Sequence, residues 1–209
     1  MPFILLLALS AMLLIVGCTR EAEKTDACTS KEIVENHLKS QGVRKCEVKE
    51  LGKYTGREYK IGRKDEYNLF DVDEEYYLIK DISDSTAFHI DQDDVLSYSL
   101  TIVKNFEELA GVKGLSLEEY FGGELKVSEK QFYSLCHEMG ELDIKKKLLV
   151  GNIAVKEGIC IGEKETSDFC NANQIDEREI TDKRERSEIY YKVLEKKVIE
   201  YLLKNNIVE

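Results

Sequence analysis

The chain has 209 residues and a formal net charge of −11, and 43% of its residues are apolar. This apolar fraction is enough to build a core and excludes a wholly disordered chain, and the length suits one domain, with room for at most a small second one. The acidic balance argues against nucleic acid as a partner, because nucleic-acid binding depends on clustered basic side chains.

The first feature along the chain is an unbroken apolar run from Phe3 to Val16, which stops at Gly17-Cys18. A membrane-spanning helix needs roughly 20 apolar residues, so this run is too short to cross a bilayer. Its length matches the apolar region of a secretory signal peptide, which has roughly 7–15 residues before small residues and a cleavage site. The run therefore predicts export, with residues 1–17 as the signal peptide.

The segment Ile15-Val16-Gly17-Cys18 resembles the lipobox of prokaryotic membrane lipoproteins. In that family the signal is cut before the cysteine, and the cysteine sulfur carries a diacylglycerol. The resemblance covers residues 1–18 only. It implies cleavage between Gly17 and Cys18, lipid on Cys18, and a protein anchored to the cell membrane on its extracytoplasmic side. One departure from the family is that no Lys or Arg precedes the apolar run.

The segment after the signal predicts a tether and then a helix. Residues 18–27 mix charged and small side chains without periodicity, and we expect them to form a lipidated tether. The rest of the chain, residues 28–209, is expected to fold as a single domain. Thr29 followed by Glu32 is a capping-box pattern, and it predicts a helix over about residues 30–41.

The next sixty residues have a pattern typical of β-structure. Short apolar and tyrosine-rich segments alternate with charged residues from residue 43 onward. Residues 95–103 alternate in period two between larger apolar residues and a set of β-branched and hydroxyl residues, which predicts a strand. A helix that begins at Asp91–Asp94 is the alternative, because acidic residues favour the first turn of a helix.

Beyond residue 114 the pattern turns helical. Ser116 with Glu119 and Ser128 with Gln131 each form a capping box. The first box predicts a short helix. The second predicts a helix with one apolar stripe, which we expect to end at Gly140 because glycine is a common helix stop.

The last third of the chain predicts a hairpin and a long helix. Residues 148–155 and 159–161 are apolar runs separated by a short charged segment with glycine, which is typical of a β-hairpin. An apolar stripe from about Thr181 to Lys204 predicts the long helix. We therefore predict an α+β fold: an antiparallel sheet with an N-terminal helix, short central helices, and a long C-terminal helix packed on the sheet.

Five cysteines remain if lipid takes Cys18, and an exported compartment permits disulfides. We predict the bridges Cys28–Cys46 and Cys160–Cys170, because each closes a short local loop. Cys136 would then be a small buried apolar residue on a helix. The alternative is a zinc site, whose ligands would be Cys136, His137, Cys160 and Cys170.

Charge is distributed unevenly along the predicted sheet. Residues 43–64 are predominantly basic and residues 65–94 are predominantly acidic. One interpretation is that neighbouring strands carry opposite charges on their solvent-exposed faces. The other is a cation site, because clustered carboxylates offer the hard oxygen ligands that Ca²⁺ prefers. The best candidate ligands are Asp91, Asp93 and Asp94.

No local catalytic motif is complete. The segment after Cys136 begins His137-Glu138, but Glu141 stands where a zinc-protease helix needs its second histidine. By elimination, we expect a binding or scaffolding module at the cell envelope, with an envelope protein or a glycan as partner. The first alternative is a lipid-anchored hydrolase, whose site would assemble from distant carboxylates and His89 or His137. The second is a Ca²⁺-dependent structural domain.

Overall fold

The computed structural model of the protein describes residues 24–59, 74–176 and 180–208, which form a mostly helical α+β fold. Four helices are long: α1 (Lys24–Ser40), α3 (Gln92–Val112), α5 (Glu129–Glu157) and α7 (Lys183–Lys204). Three are shorter: α2 (Glu74–Asp84), α4 (Leu117–Glu119), which continues into a π-helical turn at Tyr120–Glu124, and α6 (Glu163–Ala172). Strands β1 (Glu47–Glu50) and β3 (Ala87–His89) pair antiparallel, and β2 (Glu58–Tyr59) pairs in parallel with β4 (Ile207–Val208).

Helix α5 lies at the centre of the fold and packs against α1, α3 and α7. The middle of its second half is deeply buried, because Leu149, Val150 and Ile153 have no exposed surface. Burying a side chain of this size contributes roughly 1.5–3 kcal/mol to folding. The core is therefore made by helices closing around α5, and the two small sheets lie at its margins.

The predicted α+β class, with an N-terminal helix, an antiparallel sheet and a long C-terminal helix, is confirmed. The sheet is much smaller than residues 43–103 predicted. Helix α7 packs mainly on α1, α5 and α6 rather than on a sheet. The predicted N-terminal helix is also longer than expected, because α1 begins at Lys24 and contains Thr29 rather than starting after it.

The predicted strand over residues 95–103 is wrong, because this segment lies within α3. The Asp91 side chain caps the helix by accepting the backbone N–H groups of Asp93 and Asp94. The buried positions include Val95, Tyr98 and Val103, which recur at helical rather than strand spacing. The alternation in the sequence arose because Leu96 and Leu100 are exposed on the outer face of α3.

The predicted helix end at Gly140 and the hairpin after it are also wrong, because α5 runs through both to Glu157. Gly140 lies where α5 crosses α3: a Cβ there would be 2.7 Å from the Ser99 Oγ. The end of the helix is Gly158, whose φ of 63° suits the left-handed cap that glycine adopts easily. Gly140 is therefore a close-approach position between helices, not a stop.

Both of the later capping boxes are confirmed. The Ser116 side chain accepts the Glu119 backbone N–H, and the Glu119 carboxylate accepts the Ser116 N–H in return. Ser128 and Gln131 make the same reciprocal pair at the start of α5. The C-terminal helix is confirmed as well: Asp182 caps α7, which ends at Lys204.

Candidate functional site

The predicted lipidation and cleavage residues, Gly17 and Cys18, lie outside the described residues. Helix α1 begins at Lys24, six positions after Cys18. Within the described part of the chain, no helix is long and apolar enough to cross a membrane.

The predicted Cys28–Cys46 bridge stays a prediction, because the Cys28 side chain lies outside the described residues. Cys46 is half-buried just before β1, and its sulfur accepts the backbone N–H of Asp91 at 3.3 Å. Burial raises the pKa of the Cys46 thiol, with the nearby Asp94 carboxylate adding to the increase. The sulfur therefore links the segment before β1 to the start of α3.

The other cysteines lie in separate parts of the fold. Cys160 is in the connection before α6, while Cys170 is buried on α6 beside Ile180 and Ile189. Their predicted bridge also stays a prediction. Cys136 lies in a different apolar cluster with Phe121 and Phe132, and burial raises its pKa to about 11. Over the described residues, no group of three or more His, Cys, Asp or Glu side chains could hold a metal ion, so the zinc alternative is not supported.

The three aspartates proposed for Ca²⁺ have other partners. Asp91 caps α3 and lies 3.4 Å from the Lys45 ammonium. The Asp94 carboxylate accepts the backbone N–H groups of Arg44 and Lys45 at 2.7 and 2.6 Å. Desolvation opposes ionisation of Asp91, but the Asp94 N–H and Lys45 outweigh it and lower its pKa. These contacts join the segment before β1 to α3. The three aspartates likewise form no group that could hold a metal ion among the described residues, so the Ca²⁺ site stays a prediction without structural support.

A buried polar network, which the sequence analysis missed, lies where α1, α3, α5 and α7 meet. The Lys147 ammonium donates to the Asp143 carboxylate at 2.6 Å and to the Tyr98 hydroxyl at 3.1 Å. Tyr98 in turn donates to Asp143. The ammonium also lies 5.4 Å from the ring centroids of both Tyr98 and Tyr191. Although Lys147 is only 6% exposed, its charge is therefore well partnered.

The His37 side chain of α1 packs against this network. Its ring stacks on Tyr191 with centroids 4.2 Å apart and planes 2° from parallel. The residue is 4% exposed, and its Nδ1 has no hydrogen-bond partner in the part of the chain that the structure describes. Burial and the nearby Lys147 charge lower the pKa of His37 to about 4, against the opposing pull of Glu188 and Asp143. His37 is therefore neutral at ordinary pH, which suits its place beside a buried ammonium.

The pKa values of the other titratable groups in the network are shifted in directions that keep each group in one protonation state. Burial raises the pKa of Tyr98, and Asp143 raises it further, so the phenol stays protonated. Burial opposes ionisation of Asp143, but Lys147 and Tyr98 outweigh it and lower its pKa. The spacing of Asp143 and Lys147 could have revealed the pair in sequence, but only to a reader who extended α5 through Gly140.

Two open clefts flank α1. The first, which we call the α6–α7 cleft, has a volume of about 550 Å³. Its floor is aliphatic, with Ile33, Ile180 and Ile189 each 7% exposed or less. Its polar lining consists of Glu163, Thr166, Ser167 and Arg186.

The second cleft, the α1–α5 groove, has a volume of about 520 Å³ and is lined mainly by α1, α5 and β1. Two of its three basic side chains, Lys31 and Lys39, already lie within 3.7 and 3.5 Å of the Glu35 carboxylate. Such exposed pairs within one helix satisfy each other. The α6–α7 cleft differs in this respect. Its charged lining residues, Glu163 and Arg186, form no ion pair with any described residue.

The histidines considered for hydrolysis do not enter either cleft. His89 is exposed on β3, and His137 is half-buried on α5. Comparison with family models, curated proteins and solved structures finds no match to this chain.

Proposed function

We propose that the protein is a lipid-anchored binding module on the extracytoplasmic side of the cell membrane, with the α6–α7 cleft as its binding site. The observation that carries the anchor is the apolar run that ends in Ile15-Val16-Gly17-Cys18. Lipid on Cys18 would hold the domain at the membrane, since each buried CH₂ contributes about 0.8 kcal/mol.

The position of α1 supports a site close to the membrane. Lys24 follows Cys18 by six positions, and an extended chain of that length spans at most about 20 Å. Helix α1 contributes Ile33 to the floor of the α6–α7 cleft. The Ser30 hydroxyl on the same helix donates to the Ile159 carbonyl at 2.8 Å, which fixes this end of α1 against the connection to α6. A lipid on Cys18 would therefore keep the cleft near the bilayer surface.

Binding is favoured over catalysis by the chemistry of the cleft. The described residues of its lining offer one carboxylate, one guanidinium and hydroxyls, and none of them is a histidine. Concave sites with an apolar floor and a few polar groups are typical of ligand binding. The hydrolase alternative, built on His89 or His137, stays an untested prediction, and no contact of either residue favours it.

The anchor is tested by the intact mass of the full chain, isolated from the membrane fraction of a bacterial host after thiol alkylation without reductant. We expect a chain that begins at Cys18 and carries added diacylglycerol mass. The Cys18→Ser variant should keep residues 1–17 and lack that mass, whereas Cys46→Ser should be processed like the wild type. A wild-type chain that retains residues 1–17 without lipid would contradict the proposal.

The same measurement also tests the predicted bridges. Cysteines joined in disulfides are not alkylated, so two bridges and a lipidated Cys18 leave one alkyl group on the chain. We expect that group on Cys136. Several alkylated cysteines would show that the predicted bridges are absent.

A further inference from the structure

Arg186, a charged residue of the α6–α7 cleft, differs in its ion pairing from the cation nearby. Arg186 lines the cleft, and its Nη2 donates to the Ile180 carbonyl oxygen at 3.2 Å. Among the described residues, no carboxylate lies within ion-pair distance of this guanidinium. By contrast, the nearby Lys197 is bound by Glu165. Arg186 is therefore a cation at the edge of an apolar cleft whose charge the described part of the fold leaves unmatched.

The bond to Ile180 leaves Arg186 able to bind an anion. A guanidinium carries five N–H donors, and a bidentate carboxylate uses two of them. Because Nη2 is already held by a backbone carbonyl, the side chain loses less rotational freedom when a ligand binds. The same carbonyl belongs to Ile180, which forms part of the aliphatic floor. The anion site and the apolar floor are therefore adjacent.

We infer that the α6–α7 cleft binds a monoanionic carboxylate that carries an aliphatic group. Arg186 holds the carboxylate. The aliphatic group lies over the isoleucine floor, where the half-buried Ile161 and the Tyr190 ring supply most of the accessible apolar surface. This inference rests on the proposed binding function and names its ligand class. Glu163 also lines the cleft, and its negative charge selects against a second negative charge on the ligand.

Two sources supply this chemistry at a cell envelope. A free fatty acid has a carboxylate at the end of an alkyl chain, and a peptide that ends in aliphatic residues has a terminal carboxylate beside them. Both place one negative charge next to apolar surface. Octanoate is a probe of the first source, and N-acetyl-leucyl-leucine is a probe of the second.

The test is calorimetric titration of the full chain in lipid nanodiscs, with empty nanodiscs as the reference for partition into lipid. We expect octanoate or N-acetyl-leucyl-leucine to bind saturably, and octanol to bind at least tenfold more weakly than octanoate. Tighter binding of octanoate would identify the fatty-acid source, and tighter binding of the dipeptide the peptide source. Arg186→Gln should weaken binding of the preferred carboxylate by about tenfold, which is typical of losing a hydrogen bond to a charged group.

Arg184→Gln is the matched control, because Arg184 is exposed on the same turn of α7 and does not line the cleft. It should bind like the wild type, and Glu163→Gln should bind at least as tightly. The inference is overturned if neither carboxylate binds saturably, if octanol binds as tightly as octanoate, or if Arg186→Gln and Arg184→Gln behave alike.

The two proposals fail separately. A chain without diacylglycerol overturns the anchor, but the same titration in plain buffer still tests the cleft. A lipidated chain that gives no saturable heat with either carboxylate overturns the ligand class and leaves the anchor standing.

Discussion

The buried polar network and the α6–α7 cleft place similar chemical groups in opposite situations. In the network, the Lys147 charge is enclosed by Asp143, two tyrosine rings and the neutral His37. In the cleft, Arg186 makes one hydrogen bond, to a backbone carbonyl, and the described residues offer it no counter-charge. Partnered charges in this protein therefore fix the helices, whereas Arg186, which has no ion-pair partner among the described residues, lies beside apolar surface where a ligand can reach it.

The largest effect is expected when the network is broken at its centre. Lys147→Met leaves the Asp143 carboxylate without its ammonium, and breaking a buried pair costs 3–5 kcal/mol in general. We expect a loss of about 3 kcal/mol, the low end of that range, since the Asp143 side chain is 36% exposed. Urea unfolding at pH 7 measures the loss.

Lys145→Met is the control for this variant. Lys145 lies 2.6 Å from Glu141 in a partly exposed pair on the same helix. Its substitution should lower the free energy of unfolding by less than about 1 kcal/mol. If the two variants lose equal stability, Lys147 does not play the structural role that the comparison assigns to it.

The second effect is a loss of stability in acid that originates at His37. Its folded-state pKa of about 4 is below the ordinary 6.5, so the unfolded chain takes up the proton first as the pH falls. The stabilisation is fully present above pH 6.5 and is lost progressively down to about pH 4. Linkage gives a loss of about 2.5 kcal/mol between pH 7.5 and 4.5 from this residue alone.

His37→Phe tests this assignment, since phenylalanine keeps a ring against Tyr191 but cannot be protonated. The pH dependence of its unfolding free energy should be smaller than that of the wild type by about the amount linkage assigns to His37. If the unfolding free energy of His37→Phe depends on pH as steeply as that of the wild type, the acid sensitivity arises from another residue.

The parts of the fold that the sequence predicted are those set by local chemistry. Ser116 and Ser128 specify helix starts through their own backbone neighbours, and α7 carries one apolar stripe. The predicted helix end at Gly140 was wrong because the structural role of this glycine depends on its contact with Ser99, forty-one residues earlier in the chain. The burial of Lys147 could not be predicted for the same reason, since the sequence alone does not show that α1, α3 and α7 enclose it.

The candidate site was less predictable than the fold. The floor of the α6–α7 cleft brings Ile33 from α1 together with Ile180 and Ile189 near α7, and no local pattern connects these positions. Arg186 belongs to a run of charged residues at the start of α7, so nothing in the sequence separates it from Arg184. Both arginines are exposed, and only tertiary packing shows that Arg186 lines the cleft whereas Arg184 does not.

The third effect is smaller and concerns the crossing of α3 and α5 at Gly140, on which the network depends. Gly140→Ala places a Cβ 2.7 Å from the Ser99 Oγ, so α3 or the hydroxyl must move. Overpacking of this kind costs about 1–3 kcal/mol, and the better helix propensity of alanine offsets about 1 kcal/mol of it. We therefore expect a net loss of about 1 kcal/mol, and Ser99→Ala in the same chain should recover part of it.

Gly111→Ala is the matched control, because Gly111 lies in α3 with open space where its Cβ would stand. It should be stabilising by up to about 1 kcal/mol through helix propensity alone. Thermal unfolding of both variants gives the comparison, and the same sign for the two would contradict a close helix crossing at Gly140.

The smallest effect concerns a helix cap far from both regions. Ser128→Ala removes the side chain that accepts the Gln131 N–H at the start of α5, at a cost of about 1 kcal/mol. Ser134→Ala, on the exposed face of the same helix, should change stability by less than about 0.5 kcal/mol. Urea unfolding distinguishes the two, and equal losses would show that the cap contributes nothing.

Thermal unfolding of the wild type and Arg186→Gln, each with and without a millimolar concentration of whichever probe binds more tightly, octanoate or N-acetyl-leucyl-leucine, shows whether Arg186 is available to a ligand. A ligand that binds only the folded chain raises the melting temperature by mass action. We predict that this ligand raises the melting temperature of the wild type more than that of Arg186→Gln, when each protein is compared with itself without ligand. The comparison within each protein removes the effect of losing the hydrogen bond between Arg186 and the Ile180 carbonyl. An equal rise in both proteins, or no rise in the wild type, would contradict a ligand held by Arg186.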